Sequence, residues 1–92
     1  GPFCCPVEGC VKRFKTKQFF WRHISYEHFK KELMSDIPSR VGKYIHCPLC
    51  DHKTESPGKR LILFHYAISH KIIHDIFAKK YPDHVLSSSN KS

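Results

Sequence analysis

Two arrays of apolar positions run along the chain, separated by a stretch rich in breakers. In the first, Phe3 and Phe14 flank a turn at Pro6-Val7-Glu8-Gly9. This predicts a short strand from Phe3 to Cys10 and a returning strand from Val11 to Lys15. Thr16 is placed to cap a helix that starts at Lys17. That helix carries Phe20, His23, Ile24 and His28, and its pattern continues through Phe29 to Met34. Ser35 to Gly42 breaks it, because Pro38 disfavours helix at Ile37 and Gly42 closes the loop. In the second array Ile45 stands where Phe3 stood and Ile62 matches Phe20, whereas Thr54 takes the place of Phe14. A second helix is expected to be capped by Ser56, with Pro57 at its first position. Leu61, Phe64, Ile68 and Ile72 form one apolar line; Ile72, Ile73, Ile76 and Phe77 form another. Either one helix runs from about Lys59 to Lys80, or it bends after His70. Tyr81-Pro82 ends it. A small isolated unit cannot bury both lines. They are expected to cover the first array, the linker or another chain. Leu33, Met34, Ile37 and Val41 are apolar enough to join the two arrays into one body.

Metal-binding chemistry is laid over this pattern. Four residues separate Cys5 from Cys10, twelve separate Cys10 from His23, and four separate His23 from His28. Two thiolates and two imidazoles complete a tetrahedral ligand set for Zn²⁺. The long gap lets a strand turn back and enter a helix, on which His23 and His28 lie with both rings near one face. Phe3, Phe14 and Phe20 would form the small core beneath the ion. The second array has two residues between Cys47 and Cys50, fourteen before His65 and four before His70. Its Cys-to-His gap is two residues longer, an insertion expected around Glu55-Ser56-Pro57-Gly58. His74 is an alternative ligand. His46 and His52 flank the cysteines and are expected at the surface. Two Zn²⁺ per chain are expected.

Phe3, Cys5, Pro6, Cys10, Phe14, Phe20, His23 and His28 resemble a C2H2 zinc finger residue by residue. Cys47, Cys50, Ile62, His65 and His70 resemble a second, atypical one. The resemblance implies a small zinc-stabilised α+β fold: two ββα fingers packed with a linker helix and an extended C-terminal helix. Residues 1–2 are read as a cleavage remnant, 3–31 as the first finger and 32–43 as the linker. Residues 44–71 form the second finger, 72–86 a helical extension and 87–92 a disordered tail. Val85 and Leu86 are expected to tuck in, and the natural chain is expected to extend beyond both ends. The eighteen residues between His28 and Cys47 lack the short Thr-Gly-Glu-Lys-Pro-like linker of tandem DNA-reading fingers. The linker and the C-terminal helix also resemble, less specifically, those of nematode meiotic pairing-centre zinc-finger proteins.

Size and charge narrow the picture. With 92 residues the chain fits one small domain or two mini-domains. A single finger is too small to hold itself by apolar burial, so a metal staple is expected. Sixteen Lys and Arg stand against eight Asp and Glu. Two thiolates offset each dication, so this basic excess remains and points to a polyanion. Four of the five cysteines fall in the two pairs. That pattern fits zinc in a reducing compartment better than a disulfide framework. Cys4 is left as a partly packed free thiol. No run approaches transmembrane length, and no signal peptide is expected. Four protein ligands per ion leave no open position for substrate, so an enzyme is not expected.

In DNA-binding members of the family, residues just before the helix, and third and sixth within it, face successive bases. Here the resemblance assigns Thr16, Phe19 and Arg22, with Gln18 beside them. Arg22 suits guanine, Gln18 adenine and Phe19 a thymine methyl. Lys12, Arg13, Lys15 and Lys17 would hold phosphates. The corresponding second positions are Gly58, Leu61 and Phe64, with Arg60 at the second helical place. Leu61 and Phe64 look like a packing face, leaving Lys53, Lys59 and Arg60 for phosphates. The expected function is zinc-dependent, sequence-preferring binding of double-stranded DNA in the nucleus, as a transcription or chromosome-associated factor. The alternative is a protein-interaction or homodimer module using Leu61, Phe64, Ile68 and Ile72. RNA binding is a third reading, with Trp21 and Tyr26 as exposed aromatics. No membrane or small-molecule substrate is expected.

Overall fold

Each apolar array folds as a hairpin followed by a helix. The computed structural model describes residues 2–84. Gly1, the expected contact of Val85 and Leu86 and the 87–92 tail lie outside the described residues. Strands β1 (Phe3–Cys4) and β2 (Arg13–Phe14) pair antiparallel, with Phe3 opposite Phe14. Strands β3 (Ile45–His46) and β4 (Lys53–Thr54) pair likewise, with Ile45 opposite Thr54. Thr54 thus occupies the place of Phe14, as the pattern predicts. The strands are shorter than expected. Beyond β1 a single bond continues the pairing, from Cys5 N–H to the Lys12 carbonyl at 3.1 Å. The chain then closes a tight turn, Cys10 N–H donating to the Val7 carbonyl, with Gly9 at φ 86°. The turn takes the backbone groups a longer ladder would use.

Helix α1 (Lys17–His23) starts where expected. Thr16 is extended, and its hydroxyl accepts from Phe19 N–H at 3.3 Å. The expected continuous helix to Met34 is not formed. A π turn covers Ile24–His28, Phe29 leaves helical geometry, and α2 runs over Lys30–Met34. Five residues apart on an α-helix, two side chains point about 140° away from each other. The π turn, whose bond runs from Phe29 N–H to the Ile24 carbonyl at 3.1 Å, brings His28 back beside His23. The second array repeats the device. Helix α3 (Arg60–Phe64) passes into a π turn over His65–Ser69. Lys71 then adopts a left-handed conformation, φ 58°, and α4 (Ile72–Lys80) begins. Of the two readings of this region, the chain therefore breaks after His70.

The helix start at Ser56-Pro57 is corrected. Helix α3 begins at Arg60, and Lys59 precedes it without a side-chain cap. The carbonyls of Ser56 and Pro57 instead accept from the Arg40 guanidinium at 2.6 and 2.8 Å. Those contacts hold the insertion as a loop against the linker. Leu33 and Ile37 pack from the linker as expected, but Val41 is 66% exposed. It sits in a tight turn bonded reciprocally to Tyr44, with Gly42 at φ 63°, which points it outward. The Tyr66 hydroxyl donates to Asp36 at 2.8 Å and ties the second π turn to the linker. Burial and that carboxylate push the Tyr66 phenol up to about 12.

The apolar lines close on the molecule itself. One buried cluster includes Phe20, Ile24, Leu33, Ile45, Ile62, Leu63 and Ile73. Helix α4 lies over α1: the Phe77 ring is 5.7 Å from Phe20 and 5.2 Å from Trp21, edge-on to both. Trp21 is only 6% exposed, which corrects its reading as an exposed platform for RNA. Its place under α4 is the physical reason. Phe64, Ile68 and Ile72 are half-buried; of the expected partner face only Leu61 stands free, at 57%. Among the described residues no helix is long and apolar enough to cross a membrane.

Candidate metal centres

Cys5 follows β1, Cys10 precedes β2, His23 ends α1 and His28 ends the first π turn. Their ligand atoms all lie within 4.8 Å of one another. Cys5 Sγ is 3.4 Å from His28 Nε2, Cys10 Sγ is 3.4 Å from His23 Nε2, and the two Nε2 atoms are 3.1 Å apart. Tetrahedral zinc with ordinary Zn–S and Zn–N bonds has ligand–ligand edges of about 3.3–3.8 Å. The two sulfur–nitrogen separations fall in this range, and the Nε2–Nε2 pair lies just short of it, so small shifts would seat such an ion. The Phe14 ring lies 4.8 Å from the His23 ring, with Phe3 and Phe20 beneath, forming the expected core. Burial pushes the Cys5 thiol up to about 11, and the neighbouring Cys10 adds to the shift. A cation among the four atoms reverses that preference. Burial, then the His28 imidazole and Lys12, hold His23 below its ordinary value, so its lone pair is free for metal at neutral pH.

Cys47, Cys50, His65 and His70 form a second group within the same 4.8 Å limit. Cys50 Sγ is 3.2 Å from His65 Nε2. His70 Nε2 is buried with no hydrogen-bond partner, an orphan that an ion would satisfy. Backbone amides of Leu49 and His52 donate to the Cys47 and Cys50 sulfurs, each at 3.4 Å. Burial raises the Cys47 thiol; burial and then His52 and His70 lower His65. His52 is exposed, as expected, but its ring stacks 4.0 Å from His65 and braces it. His46 is half-buried beside Tyr44 rather than free at the surface. His74 packs on Trp21 at 4.2 Å and stands outside the group. Cys4 pairs opposite Arg13 as a half-buried free thiol, outside the first group.

The residues expected to meet DNA fall into distinct settings. Gln18 and Phe19 are exposed, as are Lys12, Arg13, Lys15 and Lys17. The Thr16 hydroxyl is taken by its cap bond. Arg22 is half-buried, its guanidinium 5.7 Å from the Phe19 ring centre and 5.6 Å from that of Phe64. Lys53 is exposed with its ammonium 4.4 Å from the Tyr44 ring, while Lys59 is half-buried. Arg60 is exposed and lies 5.6 Å from the Tyr26 ring and 5.7 Å from Phe64. Arg22, Phe64, Phe19, Tyr26 and Arg60 line a groove of about 280 Å³ between the two helices. The π turns, the Arg40 clasp and the amide bonds to sulfur were missed by pattern reading. The five-residue His spacing was the available signal for the π turns. The molecule is thus a small α+β protein with two Cys2His2 groups close enough to bind metal, a zinc-finger-like arrangement. No known family profile matches the chain, and no curated protein or solved structure is significantly similar to it.

Proposed function

We propose that the chain is a pair of ββα C2H2 zinc fingers, the second atypical, that bind double-stranded DNA with sequence preference in the nucleus. Zn²⁺ is the ion that two thiolates and two imidazoles select at each centre. The observation that carries the DNA reading is the α1 surface. Gln18 and Phe19 are exposed there, with Arg22 beside them, and the exposed Lys12, Arg13, Lys15 and Lys17 flank them. A net charge of +8 favours a polyanion. Four-ligand centres leave no position for substrate, in keeping with binding rather than catalysis. The test is random-sequence duplex selection at two salt concentrations. Arg22→Ala should cost roughly 1–3 kcal/mol and relax preference at one base pair. Lys15→Ala should weaken all duplexes about equally and lower the salt slope by about one unit. Equal losses on every duplex from both changes would reduce α1 to an electrostatic anchor. The interaction-module reading keeps one observation, the exposed Leu61, and predicts that Leu61→Asp abolishes partner capture while both basic changes are harmless.

A further inference from the structure

The packing of α3 beside the first π turn places Arg60 next to the α1 surface, and this changes what Arg60 can do. Pattern reading assigns Arg60 to phosphates and Phe64 to packing. The geometry places both in the groove that holds Phe19 and Arg22. Arg22 and Arg60 share the Phe64 ring, at 5.6 and 5.7 Å from its centre. Each rests on a second ring as well, Phe19 for Arg22 and Tyr26 for Arg60. A guanidinium held against aromatic rings keeps its planar fork oriented and its edge N–H groups free to donate. Among the described residues neither guanidinium enters a protein hydrogen bond or ion pair. Arg40 is the contrast, since it donates to the carbonyls of Lys43, Ser56 and Pro57. Glu27 lines the groove but pairs with neither arginine. Two cations around one ring favour a ligand rich in acceptors. On the other side of the Arg22–Phe64 contact, Gln18 lines an adjoining groove. Gln18, Phe19, Arg22 and Arg60 therefore surround one centre, Phe64.

We infer that Arg60 is a base-reading residue, and that the two modules read one contiguous stretch of duplex through a shared surface around Phe64. Its target is the edge of a guanine adjacent to the one read by Arg22, because N7 and O6 match the arginine fork. Phe64 is a positioning residue for both arginines. The inference rests on the DNA reading above.

The test is the same duplex selection on the full chain, with Arg60→Lys and Phe64→Leu alongside the unchanged protein. Zinc content and circular dichroism confirm that each variant is folded. Lysine keeps the charge but loses the bidentate fork. Arg60→Lys should lower discrimination at one G·C pair by roughly 5- to 150-fold, with the salt slope unchanged. That pair should neighbour the one relaxed by Arg22→Ala. Phe64→Leu keeps an apolar filler and should lower discrimination at both pairs together. Selection that survives Arg60→Lys intact would make Arg60 a phosphate anchor and overturn the inference, leaving the α1 reading in place. Relaxation at only one pair by Phe64→Leu would overturn the shared surface. If the unchanged protein selects no duplex, or prefers single-stranded RNA or a protein, the inference falls with the reading beneath it.

Discussion

The two metal centres have the same ligand types and nearly the same spacing, yet they sit in different surroundings. At the first, Cys5 is buried, His23 is 9% exposed, and three aromatic rings lie beneath. At the second, Cys50 is exposed, and Thr54 replaces the phenyl ring, its hydroxyl buried without a partner. The first module also carries α4, whose Phe77 completes its core from the far end of the chain. The second is braced by the linker, through Arg40 and the Tyr66–Asp36 bond. Neither unit is complete alone. Each takes its missing apolar cover from a segment outside its own hairpin and first helix, which is how two mini-domains become one core.

Breaking a metal ligand should have the largest effect and should sharpen the contrast. Metal and folding free energy are one quantity in such small units, on the order of 10 kcal/mol per site. Cys5→Ser should unfold α1 and detach α4, because Phe20 and Trp21 lose their place under Phe77. Cys50→Ser should melt the second hairpin while leaving more of α1 protected. Amide exchange followed by NMR separates the two patterns. Identical patterns would mean that the centres are equivalent.

Phe77→Ala comes next. A buried phenyl ring lost from a core costs roughly 3–5 kcal/mol. Denaturant unfolding should register that loss, and exchange should show it in α1 rather than in β3 and β4. Loss confined to α4 would show that the helix is an appendage.

Acid should act more gradually. His23 and His65 are held below 6.5 in the folded chain, chiefly by burial. Below about that pH the unfolded chain binds protons that the folded chain refuses, so stability falls as pH drops and is retained above it. Loss of the ions adds in the same direction. A thermal melt series from pH 8 to 5 should decline monotonically, with the second centre, whose Cys50 is exposed, failing first; a flat series would contradict both shifts.

How much of this was legible in the sequence depends on range. Ligand spacing, the Thr16 cap and the correspondence of Thr54 to Phe14 are local, and pattern alone carried them. The burial of Trp21 was not legible, because the ring that covers it lies 56 residues away at Phe77. Ser56-Pro57 looked like a helix start by local chemistry, and a distant guanidinium, Arg40, decided otherwise. The π turns bring each histidine pair together, a geometric demand that propensity does not encode. Lys71 is the smallest case. It adopts φ 58° with no glycine to announce it, a conformation that costs a side-chain-bearing residue roughly 1–2 kcal/mol. Lys71→Gly should therefore raise stability, by about 1 kcal/mol or less once the added freedom of the unfolded chain is counted. A lower melting midpoint would show that Lys71 itself makes a needed contact.

We propose that two zinc ions of unequal protection hold one shared core. Native mass spectrometry during a graded chelator titration tests it most directly. The expected starting mass carries two zincs. One should leave first from the second centre, with α1 amides still protected, and loss of the other should unfold the remainder. A protein that starts with one zinc or none, or that loses its metal without losing helix, would contradict the account.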